Sequence, residues 1–253
     1  DRYAREVSVK KRGVRWELLQ LPRMAADKIG KIPIGDAKPS DLADWRDRRL
    51  TQVSGSTVRR EMNLLSSVFT QARREWGLIP ANPMMDVRKP PDAPPRTRRV
   101  SDEEIYRLQE AAISEAEKRT IAAFRFAVET AMRAGEICGL TPDSVTGRVA
   151  HLPLTKNGTA RDVPLSSGAL AILEEVGGDF QLKPGTLDTL FRRVRDRAKI
   201  EGLRFHDSRA EALTRLSKKV DVLSLARISG HKDLKMLLVY YRETVEDLAE
   251  RLD

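Results

Sequence analysis

Residues 148–165 read RVAHLPLTKNGTARDVPL. Two runs, VAHLPL at 149–154 and ARDVPL at 160–165, flank Lys156-Asn-Gly158. Asn-Gly is a tight-turn signal, so the stretch reads as a β-hairpin. Pro153 and Pro164 cannot donate to a sheet ladder and confine the hairpin to a small or edge sheet. On both sides the apolar pattern returns to helical spacing. Upstream, Ser101-Asp-Glu-Glu104 reads as a capping box opening a helix, and a second helix covers about 118–130. Downstream, helices are expected at 166–176, 184–199, 207–218, 221–229, 233–241 and 245–252. The fold class is therefore mainly α: a helical piece with one small antiparallel sheet, preceded by an all-helical module.

The boundary lies at residues 88–99, RKPPDAPPRTRR, where four prolines within six residues exclude a helix or a central strand. Three segments follow: a helical domain at 1–87, a Pro/Arg-rich linker at 88–99 and a second domain at 100–253. In the first domain the strongest helix spans 57–76, with Val58, Met62, Leu65, Phe69, Ala72 and Trp76 on one stripe. A second helix is expected to start at Ser40 as N-cap, and a third to cover 14–29 with a break or kink at Pro22.

The chain has 253 residues, 46 Lys+Arg against 37 Asp+Glu, and a net charge of +9. Residues 1–97 hold 20 basic and 12 acidic residues, net +8; the remainder hold 26 and 25, net +1. A basic module ahead of a balanced one points to a polyanionic partner, nucleic acid first. Arg59 and Arg60 on the long helix, and Arg96, Arg98 and Arg99 in the linker, are the expected DNA contacts; solvation without contact is the ordinary alternative. One cysteine, Cys138, excludes an internal disulfide and fits a reducing, cytoplasmic setting. With three histidines besides, no metal site or other cofactor is expected. No apolar run is long enough to span a membrane. The chain begins without Met, in what reads as a helix, as a trimmed piece would.

Four short stretches carry chemistry. In Glu129-Thr-Ala-Met-Arg133-Ala-Gly-Glu136, an arginine opens a helix, where an anion is favoured. Lys156 sits at the hairpin turn. His206-Asp-Ser-Arg209 starts a helix with both side chains on one face. Gly230-His231 is followed nine and ten residues later by Tyr240 and Tyr241. Singly, each has an ordinary reading: a surface ion pair, a solvated lysine, a capping histidine, a packed tyrosine.

In chain order the set resembles the tyrosine recombinase, or phage integrase, family: R-x-x-E, a hairpin lysine, H-x-x-R, a second histidine, then the tyrosine at His+9. ETAMRAGEI and HLPLTKNGTARDVPLS look most like phage integrases and shufflon-type DNA invertases. The first piece looks like the family's core-binding domain, so the resemblance spans nearly the whole chain. Two departures stand out: His206-Asp-Ser-Arg209-Ala210 replaces the usual H-x-L-R-H, and Ala131 replaces a common glycine.

The resemblance implies a site-specific recombinase that cuts and rejoins DNA through a 3′-phosphotyrosine, without ATP or metal. Arg133 and Arg209 would hold the phosphate oxygens, and His231 would add a hydrogen bond. His206 would accept or position the tyrosine proton, Lys156 would protonate the leaving 5′ oxygen, and Tyr240 would attack. Tyr241 is the competing register. The expected partner is double-stranded DNA with an inverted-repeat core site, bound by a dimer, with a tetramer at synapsis. The tail at 245–252 would pack on a neighbouring subunit or fold back on its own domain. A type IB topoisomerase-like relaxing activity and a non-catalytic DNA-binding relative are the alternatives.

Overall fold

The computed structural model describes residues 1–94, 96–153 and 160–241. It comprises two compact units, Asp1–Arg96 and Thr97–Asp253.

The first unit holds α1 (Arg2–Glu6), α2 (Val14–Ala26), α3 (Pro39–Leu50) and α4 (Gly55–Arg74). The Ser54 hydroxyl accepts the Thr57 amide to open α4, whose Val58, Met62, Phe69 and Ala72 are buried as the stripe requires. They pack with Leu42, Trp45 and Met84. Two expectations change. The helix expected to cap at Ser40 begins at Pro39, because proline's fixed φ suits a first helical position; the Asp41 carboxylate accepts the Lys38 amide at 2.9 Å. α2 carries Pro22 inside it and ends at Ala26, short of the expected residue 29. The neighbouring Leu18 and Leu19 are exposed, so water can serve the carbonyl that proline leaves without a donor.

Residues expected as a loose linker are partly tied down. Arg46 donates to the Arg88 carbonyl, Lys89 to the Asn63 side chain and Arg59 to the Pro90 carbonyl, each at 2.7 Å. From Thr97 onward the chain belongs to the second unit, where Arg98 pairs with Glu104 and Arg99 with Glu211. Proline has no amide to give, but its carbonyl accepts, so a Pro-rich strand can be held by arginines from its flank.

The second unit begins with α5 (Asp102–Ala111) and α6 (Glu115–Thr130), both opened by capping boxes, Ser101 with Glu104 and Ser114 with Glu117. From Ile121 to Val128 every α6 residue except Arg125 is buried. A helix apolar on all sides must be enclosed, and α6 packs against α8 (Ser167–Glu175), α9 (Pro184–Arg197) and α10 (Asp207–Ser217). Phe124 lies 4.8 Å from Phe191 and 5.7 Å from Phe205, ring centre to ring centre. α7 (Ala134–Ile137) is a single turn after α6.

Among the described residues β1 (Val145–Thr146), β2 (Val149–Leu152) and β3 (Arg161–Pro164) form an antiparallel sheet in that order. The hairpin pairs Ala150 with Val163 and Leu152 with Arg161, and Pro164 sits on an edge strand. Two-residue β1 carried no readable alternation. α11 (Val222–Ser229) and α12 (Lys235–Leu238) follow. α12 is one turn rather than the expected 233–241. The Tyr240 and Tyr241 amides bond to the Leu237 and Leu238 carbonyls, three residues back, so the tyrosines lie on a tighter turn beyond the helix. The hairpin turn with Lys156 and the expected tail at 245–252 lie outside the described residues.

Phe124→Ala should cost about 3–5 kcal/mol in the second unit. All three tryptophans, Trp16, Trp45 and Trp76, lie in the first. In urea titrations, far-UV circular dichroism should register the loss while tryptophan fluorescence keeps its midpoint. A joint shift would mean that the two units unfold together.

Candidate active site

Among the described residues of the expected set, Arg209 is the most deeply buried, at 4% exposure. Two helix ends account for it. α6 stops because Ala131 adopts φ 53°, the left-handed region, and the Ala131 carbonyl accepts from Arg209 Nη1. Glycine would take that backbone without strain, and alanine costs about 1–2 kcal/mol there. α11 stops at Gly230, φ 71°, and the Ser229 carbonyl accepts from Arg209 Nη2 at 2.7 Å. Carbonyls at helix ends lack intrahelical partners and carry the negative end of the helix dipole. One guanidinium satisfies two such ends. Burial, then the nearby Arg133, lowers its pKa to about 10, so it remains charged at neutral pH.

Arg133 precedes α7, and its Nη1 donates to Glu136 Oε1 at 3.0 Å. The Arg133 amide donates to Glu136 Oε2 at 2.8 Å, so this helix start is capped by its own glutamate rather than left open to an anion. Burial opposes the Glu136 charge, but hydrogen bonds from Arg161 and from Arg133 hold its pKa at about 2. Arg161 was not singled out from the sequence. The available signal was strand alternation: Arg161 is in phase with buried Val163.

His206 caps α10 and is exposed; His231 follows Gly230 and is half-buried. Arg133, Glu136, His206, Arg209 and His231 line one cleft of about 550 Å³. Ser229 Oγ donates to the Leu225 carbonyl at 2.6 Å and lies 2.7 Å from His231 Nδ1. A hydroxyl has one proton, already committed to Leu225, so Nδ1 must carry its own and donate to Ser229. Nε2 of the neutral ring then holds a lone pair. Burial, followed by Arg209, Arg133 and Arg161, lowers the His231 pKa to about 4. A hydrogen bond from Nε2 to an anion therefore requires a second proton, which a bound phosphate would favour.

Tyr240 is partly buried against Ala131, Ala212, Leu213, Leu225 and Leu237, and its carbonyl accepts from Ser217 Oγ at 3.0 Å. Burial raises its pKa and the field of Arg209 opposes the rise, so the phenol is protonated at neutral pH and needs a proton acceptor to attack. Tyr241 differs: its hydroxyl donates to the Val220 carbonyl at 2.8 Å. Ser208, one of the two departures, is buried, with Oγ donating to the Phe205 carbonyl at 2.6 Å. The third histidine, His151, pairs with Asp162 on the exposed face of the hairpin, away from the expected set. Among the described residues no group of His, Cys, Asp or Glu is arranged to hold a metal ion. Nor is any described helix long and apolar enough to cross a membrane.

The expected DNA contacts are more engaged within the protein than the sequence suggested. Arg59 Nε pairs with Asp92 at 2.9 Å, and the Arg60 guanidinium stacks 4.0 Å from the centre of the Trp16 ring. Arg98 and Arg99 hold Glu104 and Glu211. Arg96 is exposed. Of the arginines along α9, Arg195 and Arg197 likewise bond within the unit, Arg195 to the Leu203 carbonyl and Arg197 to Glu117.

Guanidiniums and imidazoles around one open cleft, with a tyrosine in the field of the buried arginine, form an arrangement with the chemistry to bind an oxyanion. Residues 98–247 match the phage integrase family model, and the chain belongs to that family. A putative integrase/recombinase of Haemophilus influenzae is 44% identical, with 100% of this chain and 88% of that protein covered. A shufflon-specific DNA recombinase of Escherichia coli is 36% identical over 100% of this chain and 70% of its own length. The fold is shared with a lambda integrase dimer bound to a COC′ core site: TM-score 0.79, 19% identity, covering 96% of this chain and 95% of that one. It is also shared with the Tn1549 transposon integrase in complex with circular intermediate DNA: TM-score 0.74, 20% identity, covering 99% and 97%.

The His231 ring should titrate near pH 4 in DNA-free protein, and its ¹⁵N shifts should place the neutral proton on Nδ1. The unfolded ring binds a proton below about 6.5 and the native ring does not until about 4. Stability should therefore fall as pH drops through that window, and less so in His231→Gln.

Proposed function

We propose that this protein is a site-specific DNA recombinase that cleaves and rejoins duplex DNA through a 3′-phosphotyrosine on Tyr240. The observation that carries the reading is the convergence of Arg133, His206, Arg209 and His231 on one cleft, with Tyr240 in the field of Arg209. Family membership supports it.

In this reading Arg133 and Arg209 bind the non-bridging oxygens of the scissile phosphate, and their charge offsets what builds up on five-coordinate phosphorus. Tyr240 Oη bonds to phosphorus as its proton passes to His206. The bond to the 5′ oxygen breaks, and Lys156 supplies the proton that makes it a free hydroxyl. The phosphotyrosine stores the ester, so a 5′ hydroxyl from the same or another strand can reverse the step. No net hydrolysis occurs. Hydrogen-bonding of Tyr241 to Val220 favours Tyr240 as the nucleophile.

The partner is double-stranded DNA, at an inverted-repeat core site held by a dimer and synapsed by a tetramer. The lambda integrase dimer on a core site and tetramer on a Holliday junction support that assembly. The excess charge lies in Asp1–Arg96, which serves as the core-binding unit; phosphate contacts there make affinity fall with salt. Arg59, Arg60 and Arg96, together with Arg98 and Arg99 at the start of the second unit, are the candidate phosphate contacts, each after exchange of its present partner. The protein works in the bacterial cytoplasm, on nucleoid DNA.

The test captures the covalent step. Wild-type protein is incubated with a random-sequence duplex library, and DNA that stays linked after denaturation is sequenced. A duplex nicked within the recovered site should then give a stable adduct on a denaturing gel. Tyr240→Phe should abolish the adduct. Tyr241→Phe should retain it while losing about 1 kcal/mol of stability. Adduct from Tyr240→Phe would overturn the reading, as would relaxation of any supercoiled plasmid irrespective of sequence.

A further inference from the structure

Arg161 stands on β3, five residues beyond Lys156 in the chain, with a side chain only 8% exposed. Its Nη1 and Nη2 donate to the two oxygens of Glu136 at 2.7 and 2.8 Å, a paired fork, while Nε donates to the Ile228 carbonyl at 3.1 Å. Gly230 is shaped around it. A Cβ at Gly230 would meet Arg161 Cδ and Nη1 at 3.2 Å, on a backbone already at φ 71°. The turn before His231 is thus built against this guanidinium.

The charges give this contact a function. Glu136 is 7% exposed on its side chain, and a buried carboxylate must be neutralised by a partner. Two cations share it. Arg161 gives it a paired fork; Arg133 gives it one side-chain donor, Nη1. Were Arg161 absent, Glu136 would have Arg133 as its cation. The donors required at a phosphate would then turn to the carboxylate, and the charge of Arg133, Arg161 and Glu136 would fall from +1 to 0.

We propose that Arg161 is a positioning residue for strand cleavage: by taking up the Glu136 carboxylate in a paired contact, it keeps the Arg133 guanidinium available to the scissile phosphate. This rests on the reading of Arg133 as a phosphate ligand. Arg161 acts through Glu136 and touches no reacting atom.

The test uses the full chain and the nicked duplex recovered by covalent capture. It measures the single-turnover adduct-forming rate at saturating protein, the Kd for the same duplex and the thermal midpoint. Arg161→Met should form adduct about 10²–10³-fold more slowly, the loss associated with removing one transition-state donor, with Kd within about threefold of wild type. Adding Glu136→Gln to Arg161→Met should restore the rate at least about tenfold, because a neutral amide no longer claims Arg133 as a counter-ion. A purely structural arginine would not give that recovery. An Arg161→Met rate within threefold of wild type overturns the proposal, as does a loss that Glu136→Gln leaves unimproved. If Arg161→Met does not fold, the same comparison runs on Arg161→Lys, which keeps the charge without the fork, alone and with Glu136→Gln. Arg133→Ala separates the two readings. If it forms adduct at the wild-type rate, Arg133 is not a phosphate ligand and the site reading fails. If it is inactive while Arg161→Met is active, only the role of Arg161 fails.

Discussion

The guanidinium of Arg209, held between the ends of two helices, is the contact on which the cleft of the second unit is organised. α6 and α11 both end in left-handed residues, Ala131 and Gly230, and carbonyls at those ends, Ala131 and Ser229, are left for a donor. Leaving them buried without one would cost on the order of 1–3 kcal/mol each. Arg209 satisfies both, and in doing so brings the segment leading to Arg133 and the turn carrying His231 to the base of α10, where His206 stands. The cleft therefore follows from satisfying backbone groups before any ligand enters.

Crowding cations in a half-buried space has consequences for the other groups. Arg133, Arg161 and Arg209 all push down the His231 pKa, after burial. Among the described residues lining the cleft, Glu136 is the one acid that offsets them. The cluster is poised for an anion to complete its charge balance. Tyr240 feels the charge of Arg209, but burial outweighs it and raises the tyrosine pKa, so the cluster does not ionise the phenol in the free protein. The two departures from the family pattern fit this frame. Ser208 satisfies its hydroxyl on the Phe205 carbonyl, and Ala131 accepts a strained φ where glycine would have been free.

Many arginines of this chain serve structure. Arg98, Arg99, Arg197 and Arg215 each hold a carboxylate, and the acids they hold, Glu104, Glu117 and Glu211, are capping or buried groups. A linear count of basic residues cannot separate these from solvent-facing ones, because partner choice depends on distance across the fold. Arg99 and Glu211 are 112 positions apart. The net excess survives this pairing: it stays in the first unit, at +8.

The helices and the paired strands of the hairpin were legible in the sequence because they rest on local rules: apolar spacing, capping boxes, and short strands bounded by turn residues. Helix ends were read less well. α12 is one turn where a nine-residue helix was expected, and α2 ends at Ala26 rather than at residue 29. What only the tertiary structure decided is which arginine meets which acid or carbonyl. Arg161 on Glu136, Arg209 on Ala131 and Ser229, and Tyr241 on Val220 are 20 to 78 residues apart in sequence. Such pairs are selected by the need to satisfy every buried charge and carbonyl at once. That condition exists only after the chain has closed on itself.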